Sequence, residues 1–177
     1  VEHYRYNLMR MIDIARSVDA KTILVRPASK LRDCSPFKSQ HRKGLYGTDL
    51  NNWQTLFDSA NKAYAAGRWN DALEAIDKAL TIDDQYADLY YLYGRVLWQL
   101  GRYDQAKKAF VRAKDEDVCP LRALTTMENI ILEVANRQDI PLVDFIALTE
   151  KYSEHATAGE DLFLDHVHPT IEGNRLL

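Results

Sequence analysis

The sequence predicts an α/β frame at its two ends with an all-α helical-repeat insertion between them, and three observations carry that expectation. Glycine, alanine and aromatic positions recur 34 residues apart across the middle of the chain. Each flank pairs a helix-patterned stretch with a short apolar run, KTILV near the start and IPLVDF near the end. The closing flank also carries the phrase DHVHPTIEG, with an aspartate three residues ahead of a histidine. The expected boundaries are 1–45 for the first flank, 46–136 for the insertion and 137–177 for the second flank.

A fixed period of this length marks stacked helical hairpins. Gly67 and Gly101, Trp69 and Tyr103, Ala72 and Ala106, Ala79 and Ala113, and Asp83 and Asp117 all keep the same offset. The units fall at about 53–86 and 87–120. A glycine between two helices takes a positive φ that other residues adopt at a cost. The small alanines let the helices approach closely, and the aromatic after each glycine fills the space beside the turn. In the second unit, helices are expected over 87–100 and 103–114. The segment 121–136 is apolar at helical spacing (Leu124, Met127, Ile131, Val134, Ala135) and is expected to cap the second unit.

These residues resemble the tetratricopeptide repeat family over residues 53–120. That resemblance implies binding of peptides or protein partners, on a shallow groove because there are only two units. The chain departs from the family at Asp84, where proline usually ends a unit, and at Ser59 and Ala60, which stand in place of a Leu-Gly pair. The aromatics Tyr86, Tyr90, Tyr91, Tyr93 and Trp98 are expected mainly in packing, with a ligand groove as the other reading.

In the first flank, Tyr4 to Val18 is amphipathic through Leu8, Met11, Ile12 and Ala15, and KTILV then runs to Pro27. That is helix followed by buried strand. In the second flank IPLVDF reads as another buried strand, 146–152 as helix, and a last helix is expected to hold Pro169 in its first turn. Two buried strands with helices between them imply a parallel sheet, with the repeats lodged in the connection.

Asp165 and His168 are the candidate site. A carboxylate at this spacing can fix an imidazole's tautomer and support the imidazolium formed when it takes a proton from a nucleophile. A structural loop pair has the same spacing. The phrase DHVHPTIEG resembles the last block of the SGNH (GDSL-type) hydrolase family, in which Asp-x-x-His-Pro opens the final helix. With VRPASKLRDCSPFKS in the first flank, the chain resembles a bacterial subgroup whose hydrolase domain is interrupted by tetratricopeptide repeats. The resemblance implies hydrolysis of an ester or acyl substrate by a serine nucleophile, with His168 as general base, Asp165 as its orienting acid, and no cofactor or metal. The family's Gly-Asp-Ser block is not found here, and Ser29, Ser35 and Ser39 lie in other contexts. The expectation is therefore a C-terminal fragment, inactive alone, whose nucleophile lies upstream of Val1. Both ends, opening and closing inside helix-like patterns, fit that expectation. The alternative is a non-catalytic repeat scaffold that binds a protein partner.

The remaining features narrow the classes. A net charge of −3 offers no general attraction to nucleic acid or an anionic membrane. No apolar run approaches the roughly 20 residues of a membrane-spanning helix. Basic residues cluster from Lys30 to Lys43, as a solvated loop or a binding patch. The stretch LRDCSPFKSQHR within them reads equally as a substrate-contacting loop and as a connector into the repeats. Cys34 and Cys119 are expected as unpaired thiols. His166 and His168 form a His-x-His pair, but no third ligand stands at a recognisable spacing for a metal. His3, His41 and His155 are expected on the solvated surface. The compartment is not legible.

Overall fold

A computed structural model describes residues 1–177 as eight α-helices, two three-residue strands and one short 3-10 turn, grouped in two compact units. The helical-repeat unit is Leu31–Leu121; the other unit joins Val1–Lys30 to Arg122–Leu177.

The repeat unit contains α2 (Gly47–Ala65), α3 (Trp69–Ile82), α4 (Ala87–Gln99) and α5 (Tyr103–Asp115). The same turn closes both hairpins. Gly67 and Gly101 adopt φ of 72° and 71°. The Gly67 N–H donates to Tyr64 O and Arg68 N–H to Ala63 O; one period later, Gly101 N–H donates to Trp98 O and Arg102 N–H to Leu97 O. Ala72, Ala79, Ala106 and Ala113 are fully buried. Volume is exchanged between the hairpins where the sequence departs from the family. In the second hairpin Gly94 sits against the Phe110 ring. One period earlier the pair is Ala60 and Ile76, both fully buried in one core cluster. A methyl added on one helix is matched by a smaller partner on the other.

Two positions change character between the hairpins. Leu73 and Leu80 of α3 pack against the first hairpin's core. Their equivalents one period on are Lys107 and Lys114. The segment expected to cap the second unit is α6 (Thr125–Gln138), and it belongs to the other unit. Its Ile130 and Val134 pack with Ile12 of α1 (Glu2–Ser17), flanked by Leu8, Leu24 and Ile140.

In that second unit, β1 (Leu24–Arg26) and β2 (Leu142–Asp144) pair in parallel with Leu24 opposite Leu142 and Arg26 opposite Asp144. Arg26 Nη1 reaches Asp144 Oδ2 at 3.1 Å, and Asp144 Oδ1 accepts the Ala147 N–H to cap α7 (Phe145–Tyr152). The expected α/β frame is corrected here. The sheet has these two strands alone, and KTILV and IPLVDF each give it three residues or fewer. Val25 is 42% exposed, so the sheet is not covered on both faces as parallel sheets of α/β domains are. A second small core gathers Ala28, Phe145, Ala158, Leu162 and Phe163. The last helix, α8 (Ile171–Arg175), is capped by the Thr170 hydroxyl accepting the Gly173 N–H, which leaves Pro169 ahead of the cap rather than in the first turn. No helix is long and apolar enough to cross a membrane.

Candidate functional site

Two places combine polar chemistry with ordered geometry. The first is the loop after Phe163. Asp165 Oδ1 accepts the backbone N–H of Val167 at 2.9 Å and of His168 at 2.8 Å, while Oδ2 lies 2.7 Å from His168 Nδ1. The two backbone donors, followed by the ring, hold the Asp165 carboxyl well below the usual carboxylate range. The His168 side chain is 72% exposed, and the His166 ring stands 6.4 Å away from it, centroid to centroid. The predicted pair is therefore brought together, on an open surface. Nowhere in the chain do three or more His, Cys, Asp or Glu side chains converge as a metal site would require.

The second place is in the repeat unit, where an irregular strap, residues 31–46, with turns at 32–33 and 43–44, lies along the helices. This is the LRDCSPFKSQHR stretch with its basic residues. Asp83 and Asp117 each follow the second helix of a hairpin, and both are buried. Each accepts the N–H two residues ahead of itself on Oδ1, from Gln85 at 3.0 Å and Cys119 at 2.9 Å. Each presents Oδ2 to the strap: Asp117 to the Phe37 N–H and Asp83 to His41 Nδ1, both at 2.7 Å. The Lys38 N–H also donates to Asp117 Oδ1, and the Arg42 N–H to Asp83. Ser39 Oγ donates to Asp88 Oδ2 and accepts the Asp88 N–H at the start of α4.

His41 corrects the expectation of a solvated surface residue. Its ring stacks on Tyr86 at 4.5 Å and meets the fully buried Trp53 edge-on at 4.5 Å. The recurrence of Asp83 and Asp117 was visible in the sequence, but nothing local showed what they hold. The aromatics divide between packing and surface. Tyr86 and Tyr93 pack on the first core, Tyr91 and Trp98 on the second. Burial pushes the phenols of Tyr86, Tyr90, Tyr91 and Tyr93 above the ordinary tyrosine value. The exposed Arg95 of α4 lays its guanidinium 4.4 Å over the Tyr64 ring of α2 and 6.0 Å from that of Tyr91. Tyr91 in turn donates its hydroxyl to the Arg32 carbonyl. Cys34 and Cys119 form no disulfide.

Fold and sites together describe a helical-repeat protein. The tetratricopeptide repeat family model matches residues 63–120, within the helical-repeat unit. A plant protein, Protein NPGR2 of Arabidopsis thaliana, is 29% identical over 101 residues, which is 57% of this chain and 13% of that protein. The chain thus spans about an eighth of the length of the relative it matches. No solved structure matches.

These findings overturn the expectation of an SGNH-type serine hydrolase. The family match falls on the repeats, and the relative aligns without any hydrolase attribution. The flanks form helices around a two-stranded sheet rather than a hydrolase sheet. Asp165 and His168 meet within a single loop. An aspartate accepting the N–H groups two and three residues ahead is a common way to close a loop, and it brings the following imidazole into reach.

Proposed function

We propose that this chain is a protein-binding module built on two tetratricopeptide repeats. The observation that supports it most is the face shared by α2 and α4, where exposed Arg95 stands over Tyr64 beside Tyr91. Tyrosine and arginine dominate the energetics of protein interfaces because they bury large area at low entropic cost and offer directed polar contacts. An arginine held over aromatic rings is already ordered, so less freedom is lost when a partner's carboxylate docks on it. Selection of a displayed random-peptide library on the chain tests the reading. Peptides that bind saturably, and at least tenfold more weakly after Arg95→Ala, support it. Failure to enrich any sequence over a bare support overturns it.

For Asp165 and His168 we propose loop ordering as their role, supported by the two backbone N–H bonds that Asp165 accepts. Turnover of short acyl esters that disappears in His168→Ala would contradict it.

A further inference from the structure

The strap is held by a device that recurs with the repeats. After each second helix stands a buried aspartate, Asp83 or Asp117, whose Oδ1 is fixed by the N–H two residues on. The Oδ2 of each carboxylate meets the strap. The strap runs antiparallel to the order of the repeats: residues 37 and 38 meet Asp117, and residues 41 and 42 meet Asp83. The two anchors on the strap stand four residues apart, a stretch of chain that spans no more than about 14 Å. Between the anchors, Ser39 exchanges two hydrogen bonds with Asp88, and the strap returns one backbone bond, Lys38 O accepting the Val118 N–H at 3.0 Å. Arg42 Nε donates to Ile82 O at 2.8 Å. The occupant thus offers backbone N–H groups in pairs, a small hydroxyl and basic side chains; the surface offers three carboxylates and an aromatic slot for the imidazole.

We propose that the face formed by Asp83, Asp88 and Asp117 is a peptide-recognition track, one anchor per repeat, and that residues 37–42 are its resident occupant in cis. The partner it fits is an extended, basic segment with a histidine in register with Asp83 and a serine two residues before it. This deepens the protein-binding reading and rests on it. The geometry makes the recognition selective. A carboxylate buried without a donor is costly, so the track favours segments that present N–H groups at both anchors. An acidic segment is rejected by all three aspartates, and a proline at either anchoring amide removes the donor.

The test uses the full chain with its strap weakened by Ser39→Ala and His41→Ala, together with a fluorescein-labelled synthetic peptide of the natural residues 31–46. Hydrogen exchange first reads the amides of Phe37, Lys38 and Arg42. They should exchange at least tenfold faster in the strap variant, while the helices α2 to α5 stay protected. Fluorescence anisotropy should then show saturable binding to the strap variant, at least tenfold tighter than to the unaltered chain, whose track is occupied. Adding Asp83→Asn and Asp117→Asn, which keep size and one acceptor, should weaken binding at least tenfold. Unchanged protection of the strap amides overturns the proposal, as does a released strap with no peptide binding. Equal binding with and without the aspartates overturns it too, and so does global loss of helix in the Asn variant, which would make the aspartates a structural clasp. Library peptides that depend on Arg95 yet ignore Asp83 and Asp117 would sink the track alone; no library binding at all would sink the broader reading.

Discussion

Replacing Gly94 by alanine isolates the close approach on which the second hairpin depends. A β-carbon at Gly94 would lie 2.5 Å from Cδ1 and Cε1 of Phe110 and 3.0 Å from its Cγ. Ordinary carbon contacts stand at about 3.5 to 4.0 Å, so the ring must withdraw by roughly 1 Å. Phe110 is 1% exposed and lies among Leu97, Ala106 and Ala109, which leaves no open direction for that movement. Overpacking of this kind costs about 1 to 3 kcal/mol. Alanine in place of glycine inside a helix returns about 1 kcal/mol. The net expectation for Gly94→Ala is a loss of up to about 2 kcal/mol, a few degrees in melting temperature. The first hairpin supplies the control, because its equivalent pair is Ala60 with Ile76. Gly94→Ala with Phe110→Ile recreates that pair, so the double variant should be more stable than the two single losses added together, with a coupling of about 0.5 to 3 kcal/mol. Denaturant unfolding followed by tryptophan fluorescence is a clean assay, since Trp53, Trp69 and Trp98 all lie in the repeat unit. Stabilisation by Gly94→Ala alone, or additivity within about 0.5 kcal/mol, would refute the volume exchange.

Two further outcomes concern the loop at the other end of the chain. A β-carbon on Gly173 would collide with the Leu162 carbonyl oxygen and approach Pro169 Cβ to 2.9 Å. Gly173→Ala should therefore displace α8 and raise amide exchange at Leu164 and Thr170, whereas unchanged exchange there would contradict the packing. The Asp165 carboxyl is depressed by its N–H donors, so its contribution to loop order is present above the ordinary carboxylate pKa of about 3.9 and is lost as pH falls below that through the lower folded value. An NMR titration of the Val167 and His168 amides should place its midpoint below the ordinary value, and a midpoint at or above it contradicts the assigned hydrogen bonds.

The repeats were legible because each of their signals is local and periodic. The positive-φ glycines, the buried alanines and the aromatics beside the turns each serve a contact within one hairpin. Even the departure at Ala60 had its compensation in the sequence, at Ile76 one period before Phe110. The parallel pairing of Leu24–Arg26 with Leu142–Asp144 was readable from two apolar runs, but the extent of the sheet was not. A three-residue strand with one exposed face leaves the same apolar signature as the start of a longer buried one. His41 was misplaced because its burial depends on Asp83, Tyr86 and Trp53, none of them near it in sequence. For residues 121–136 the apolar spacing announced a helix but not its partner, and Ile130 and Val134 pack with Ile12 of α1. The hydrolase expectation rested on the DHVHPTIEG phrase and the strand-and-loop order of the flanks, whereas the family match falls on the repeats and the flanks form only a two-stranded sheet.

The most direct measurement is an amide chemical-shift map of the chain titrated with a peptide selected on it. A two-repeat binding module predicts shifts concentrated on α2 and α4 around Tyr64, Tyr91 and Arg95. Shifts confined to the loop of Asp165 and His168, with the repeat face unmoved, would contradict it.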